Sequence, residues 1–478
     1  MLWVVYVHIF PLCYNVILWG DDMALRTNKS DMIEGPLWGK ILKFALFYMM
    51  TAFLQKLYSA ADVAVVGKFA GADALAGVGT CTVVVNLFLN FILGLSAGGT
   101  IVLGQAIGAG EREKISKAAH TAIAVAICGG VVISVVCLLF TEQLLSMVNV
   151  PENVLPHAII YFRVIAIGFV PALTYNFGAA ILRAKGDAKR PLYIVSISGI
   201  INVGLNLLFV CVFKMESGGV ALATIISQAF TAVAVLYILS NEEDETRIFF
   251  KRVRVYKEPF IKMIKFGLPS AIQSSVFSSA NVIVQSRVNS FGPAATAGSA
   301  AVNSITEFYS EMCSSFYQSS LVFVSQNFGA KKFDRIKKTI FICFVYMIGI
   351  WAIQSLLTFL FGENLIRIYT DDAASIEMGL RKFSVVGYSY GIMGLMTIMS
   401  GALRGMGASF FNMVSSIIGV CGIRLVWIFT AFKSFNTIEA LYVCYPLSWG
   451  GTFVFHSIMF MFVYKKAKAK SQILQHMP

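Results

Sequence analysis

Stretches without a single Asp, Glu, Lys or Arg dominate the chain, running 74–110, 118–141, 164–182, 191–213, 217–241, 266–286, 288–306, 312–330, 339–362, 383–403, 405–423 and 440–464. A helix needs about 20 apolar residues to cross the hydrocarbon core, and backbone amides in lipid must bond within their own segment. The pattern predicts twelve helices, over about 38–66, 75–106, 117–140, 156–182, 190–212, 218–240, 259–288, 295–328, 338–361, 379–403, 409–431 and 438–464. The in–out alternation of a membrane β-barrel is absent.

The pattern also repeats at a spacing of 221 residues: Gln105-Ala-Ile-Gly-Ala109 returns as Gln326-Asn-Phe-Gly-Ala330, and Leu182-Arg-Ala-Lys-Gly186 as Leu403-Arg-Gly-Met-Gly407. Gly71 pairs with Gly292 and Phe162 with Phe383 at the same offset. The expected fold is an all-α polytopic membrane protein of two six-helix bundles. Six spans per half is an even number, so the halves are parallel repeats about an axis along the membrane normal, the usual build of a secondary transporter. The boundaries read as a tail at 1–34, an N-terminal lobe at 35–240, a linker at 241–257, a C-terminal lobe at 258–464 and a basic tail at 465–478. Residues 1–20 are apolar but lack the basic start of a signal peptide. They are read as translation from an upstream start codon, with Met23 the true beginning.

At 57% hydrophobic and 13% charged residues, the composition is far from that of a soluble protein. The net charge of +13 is unevenly placed. Connections near 26–43, 112–117, 183–190, 247–257, 331–338, 404 and 465–470 hold 26 of the 38 Lys and Arg, and the alternate connections hold 7. By the positive-inside rule both termini are cytoplasmic, and the basic excess meets lipid headgroups rather than nucleic acid. The nine cysteines lie in apolar segments without a CxxC pair, and the five histidines are scattered, so neither disulfides nor a metal site is expected.

Charges inside spans are costly and point to function. Asp62 sits toward the outer end of the first span, and Glu307 and Glu311 lie near the middle of the eighth, on one helix face. At offset 221 their counterparts are Asn86 and Asn90. Asn202 and Asn206 share a face of the fifth span, and Thr224 follows in the sixth. The plainer reading of each Asn or Thr is an interhelical hydrogen bond. Glu307 and Glu311 either line a polar cavity or balance Arg163, Arg424 or Lys56. No Walker A sequence, HExxH or GxSxG appears, so an enzyme is not expected.

Taken together, Leu54–Gly67, Gln105-Ala-Ile-Gly108, Leu182–Asp187, Gly218–Thr224 and Gln326–Lys331 resemble the multidrug and toxic compound extrusion (MATE) family, over about 35–465. The resemblance is to the DNA-damage-inducible prokaryotic branch, since Pro269–Asn281 in the seventh span holds no carboxylate. It implies two six-helix bundles in a V, in the plasma membrane of a prokaryote, exporting cationic or amphipathic compounds in exchange for H⁺ or Na⁺, with no cofactor. It also implies a cation site at Asp62, Asn202 and Thr224, with Asn206 standing where the family has a second Asp. Phe47 replaces a first-span proline that the second half keeps as Pro269.

The reading is a cation-coupled efflux transporter, expected to be a monomer. Asp62 loads the ion, with Asn202, Asn206 and Thr224 as neutral partners, while Glu307 and Glu311, with Asn86 and Asn90 opposite, face a cationic substrate. The rivals are a flippase for lipid-linked sugars, which calls for a cationic cavity and usually extra helices, and a non-transporting membrane scaffold.

Overall fold

Helices account for every expected span in the computed structural model, which describes residues 32–148 and 150–475. The reading of residues 1–22 and Met23 lies outside the described residues. In the first half α1 is Trp38–Phe69, α2 Ala72–Ala109 and α3 Arg112–Leu139. Next come α4, in two pieces (Leu155–Ile167 and Phe169–Ala184), α5 (Lys189–Asn206, prolonged by a π turn over Leu207–Val212) and α6 (Glu216–Ser240). In the second half α7 is Lys257–Asn289, α8 Pro293–Gly329 and α9 Phe333–Arg367. They are followed by α10 (Ala373–Val385 and Tyr390–Gly405), α11 (Ser409–Ser416, continuing through a π turn to Ile423–Phe429) and α12 (Cys444–Gln475).

Among the described residues, eight of these are long and apolar enough to cross a membrane unaided, nine with the bent pair of α4. The other three carry charged or hydroxyl side chains within their spans: Lys56 and Asp62 in α1, a run of serines in α7, and Glu307 and Glu311 in α8. In α7 the hydroxyls of Ser270, Ser274, Ser275, Ser278 and Ser279 each bond the carbonyl four residues back. Local bonding of this kind makes a serine-rich helix tolerable away from water.

Two details depart from the sequence reading. The fourth span bends by 44° at Gly168, and the tenth is interrupted by a 3₁₀ turn at Gly387–Ser389, the equivalent place in the repeat. Such breaks leave no apolarity signal. The basic tail from Lys465 is helical as far as Gln475, the last turns of α12, because Lys and Ala are good helix formers. α1 runs unbroken past Phe47, and α7 runs unbroken through Pro269.

The halves interlock. α7 packs along α2 of the first half, and α1 packs on both α5 and α8. The linker is docked rather than free. His120 on α3 bonds the Phe249 amide at 3.1 Å, and the Thr121 hydroxyl accepts from the Tyr256 amide at 3.2 Å. Lys185 pairs with Glu242 at 2.6 Å and Asp244 at 2.7 Å, and Arg190 pairs with Asp187 and Glu242.

Candidate functional site

Two polar places lie within the bundle, and a close helix crossing stands between one of them and the basic face. The first is in the N-terminal half. Asn202 and Asn206, one turn apart on α5, are 5% and 0% exposed and face α1. The Asn206 Nδ2 donates to Asp62 Oδ1 at 2.5 Å and to Asn202 Oδ1 at 3.2 Å. Thr224 of α6 also stands beside the Asp62 carboxylate, while its hydroxyl donates to the Val220 carbonyl at 2.9 Å. Local features hold this arrangement. The π turn begins at Leu207, directly after Asn206, and π turns often mark functional places in helices. One turn before Asp62, Tyr58 packs over Gly199, where an added Cβ would lie 1.7 Å from the ring. Only a glycine lets α1 approach α5 this closely. One turn after Asp62, Val66 joins Val78, Val210 and Val220 in an apolar cluster.

The second place is a cavity of ≈ 800 Å³ between the halves. Its walls come from α1, α2, α4, α7, α8, α10, α11 and α12. Glu307 and Asn90 line it, whereas Asn86 and Glu311 do not, and neither do Asp62, Asn202, Asn206 or Thr224. Glu307 is paired with Lys56 of α1 at 3.0 Å. Arg163 instead meets Glu142 at 3.3 Å. The remaining charges on the cavity wall are arginines: Arg183 of α4, Arg404 of α10 and Arg424 of α11.

On the basic-face side of the cavity's lining residues, α2 crosses α8. An added Cβ at Gly108 would lie 1.9 Å from the Gln326 carbonyl oxygen, and one at Gly329 would lie 2.0 Å from that of Gln105. The side chains of the same glutamines complete the crossing: Gln105 Nε2 donates to the Gly405 carbonyl at 2.9 Å, and Gln326 Nε2 to the Ala184 carbonyl at 2.6 Å. Residues 184 and 405 are themselves repeat equivalents. The motif first seen as a sequence repeat is thus a reciprocal clasp, each half holding the other by the same atoms.

The MatE family profile matches this chain twice, over residues 48–208 and 269–430. The chain belongs to the MatE family. The two matches start at residues equivalent in the 221-residue repeat. Among its relatives is the probable multidrug resistance protein YoeA of Bacillus subtilis, 26% identical over 92% of this chain and 97% of that protein. Another is the probable multidrug resistance protein NorM of Thermotoga maritima, 26% identical over 83% of this chain and 86% of that one. A solved MOP superfamily transporter of Pyrococcus furiosus superposes with a TM-score of 0.85, 18% identity and coverage of 93% of this chain and 99% of that one.

For this MatE transporter the geometry gathers Asp62, Asn202, Asn206 and Thr224 into one cluster, but it divides the other four candidates. The expectation that Glu307 and Glu311 jointly face a cationic compound needs correcting. Lys56 reaches across from α1 and compensates Glu307, and Glu311 lies off the cavity wall, partly buried. Sequence reasoning assigned Arg183 and Arg404 to topology alone, because they sit at basic connections and serve equally well as topology signals. Their equivalence at the 221-residue spacing was the available clue.

Proposed function

We propose that this MatE protein is a secondary active efflux transporter that exchanges H⁺ or Na⁺ for amphipathic organic compounds by alternating access, in the plasma membrane of a prokaryote, with its basic face and both termini in the cytoplasm. The observation that carries the reading is the separation of the two polar places. A lone carboxylate sits in a polar cluster of one half, outside the lining of a large cavity between the halves that can hold a compound.

As described, Asn206 spends both amide hydrogens on acceptors, Asp62 and Asn202, which suits an ionised Asp62, an acceptor only. Its Oδ1 is buried without a partner. A proton on Asp62 turns that acceptor into a donor, and rotation of the Asn206 amide presents the spare oxygen to it. Sodium takes the same oxygens, since hard cations prefer oxygen ligands and one carboxylate suits a monovalent ion. Either ion neutralises Asp62 and rearranges its bonds to α5. An ion that binds the two arrangements unequally shifts the balance between them, and the clasp at Gln105 and Gln326 is the contact that opening to the cytoplasm has to break. Asn206→Asp, which adds a second carboxylate, is expected to strengthen Na⁺ dependence or shift the pH profile of transport.

A flippase for lipid-linked sugars is the second reading, favoured by the arginines on the cavity wall. Transport in proteoliposomes under separately imposed proton and sodium gradients decides. Export of a soluble dye driven by one of the two gradients supports exchange. Dye movement indifferent to both gradients overturns it, and movement of lipid-anchored sugars alone points to the flippase.

A further inference from the structure

The MatE cavity is basic, and its charges are permanent. Arginine does not lose its proton in proteins. Among the described residues no carboxylate lies within salt-bridge distance of Arg183, Arg404 or Arg424; what they meet is neutral. Arg404 donates through Nη1 to the Tyr317 hydroxyl and through Nη2 to Gln273 Oε1, both at 2.7 Å, and its Nε is buried without a partner. Arg424 donates through Nε to the Ser448 hydroxyl at 3.0 Å and through Nη1 to Asn281 Oδ1 at 2.7 Å. Arg183 lies 5.7 Å from the centre of the Tyr48 ring, and its Nε is also buried without a partner. Arg404 and Arg424 are 8% and 4% exposed.

The acidic groups nearby do not cancel this charge. Glu307 is taken by Lys56, and Glu311 is the remaining carboxylate close by, near Lys56 and Tyr48. Even with both acids ionised, Lys56 and the three arginines outnumber them by two. Behind the wall the buried Lys382 amine bonds only the neutral Ser299 and Asn303 and brings no carboxylate to the cavity. Neutral acceptors fix where a guanidinium points but leave its charge uncompensated, which is costly away from water. A bound anion removes that cost, and the guanidinium fork matches carboxylate and phosphate oxygens. Tyr48, Phe277, Tyr317, Tyr390 and Trp449 supply flat apolar surface between the arginines.

We propose that this cavity selects organic anions: an aromatic body bearing a carboxylate, sulfonate or phosphate, its charge held by Arg183 and Arg404, one from each half, and by Arg424. The proposal rests on the reading that the cavity is where the transported compound binds, and it names that compound's class.

Fluorescein and rhodamine 123 share a xanthene ring and carry opposite charge, so they isolate the sign of the charge. Binding of each to the purified full-length protein, followed by fluorescence anisotropy at low salt, needs no variant. Fluorescein is expected to bind at least about tenfold tighter. Arg183→Gln, Arg404→Gln and Arg424→Gln are each expected to weaken fluorescein by about tenfold or more, as loss of a charge-assisted hydrogen bond does, without weakening rhodamine 123. Equal or tighter binding of rhodamine 123, no binding of fluorescein, or fluorescein affinity unmoved by all three substitutions overturns the proposal. Failure of ion gradients to drive transport while fluorescein still binds tells against ion exchange and leaves the anion site standing. Gradient-driven export of rhodamine 123 with no binding of fluorescein does the reverse.

Discussion

The two halves of this MatE protein were built to one plan, and they differ in the polar side chains they carry inside. In the first half Asp62, Asn202, Asn206 and Thr224 form a polar cluster; at the same repeat positions the second half has Ile283 or Val284, Ile423, Trp427 and Tyr445. Conversely, Arg424 of the cavity wall answers to Val203, and Glu307 to Asn86. Yet the clasp is the same in both: Gln105 with Gln326, Gly108 with Gly329, and the acceptors Ala184 and Gly405. In the proposed exchange the symmetric positions carry the mechanics of opening and closing. In that exchange the asymmetric positions divide the labour, with the ion in one half and most charges that meet the compound in the other.

Removing the ion-binding half of that division should have the largest effect. Asp62→Asn is expected to abolish uphill export while downhill exchange of compound stays within about a factor of two of wild type. An equal loss of both would show that Asp62 serves the whole fold rather than one half's task.

Next in size comes the clasp. Gly108→Val places side-chain atoms where the Gln326 carbonyl stands, and overpacking of this kind costs about 1–3 kcal/mol. The closed basic face should lose population by roughly ten- to a hundredfold, read as faster labelling of a cysteine placed in the cavity from the cytoplasmic side. Gly329→Val should do the same to a similar extent, and a much smaller effect at one glycine would break the claim of symmetry.

Gln105→Ala and Gln326→Ala each remove one hydrogen bond, worth about 0.5–1.5 kcal/mol. Both should raise the same labelling rate, by less than the valine variants and by matching amounts.

The smallest effect belongs to the linker, which the repeat does not contain. Burial alone would push the Asp244 carboxyl up, but Lys185 at 2.7 Å and the Thr246 hydroxyl hold it below the usual carboxylate range. A carboxylate with a depressed folded-state pKa stabilises above its unfolded value of about 3.9 and loses that contribution as pH falls through the folded value. Asp244→Asn should therefore lower thermal stability at neutral pH by about 1 kcal/mol or less, with the gap from wild type closing on acidification below about pH 4. A gap that persists in acid would mean the ion pair does not hold the linker.

How far the sequence could be read follows from what each feature depends on. Spans and repeat depend on local apolarity and spacing, so α1 through α12 and the 221-residue register were legible. Asp62 with Asn202, Asn206 and Thr224 was legible because a charge or amide in lipid demands a reason, and the family resemblance tied the four together. The Lys56–Glu307 pair and the two-way bonding of Gln105 and Gln326 depend on which helices meet, and spacing along one helix is silent on that. Arg183 and Arg404 were seen and misassigned, since a basic residue near a helix end satisfies the topology rule whether or not it also faces a cavity. The bend at Gly168 was invisible for a similar reason: apolarity continues through it unchanged.

The division of labour is tested most directly by following ion and compound fluxes together in the same proteoliposomes, for wild type and Asp62→Asn. The account predicts coupled fluxes in the wild type, and in the variant an ion flux that vanishes while exchange of compound continues. An ion flux that survives in Asp62→Asn, still coupled to the compound, would contradict it.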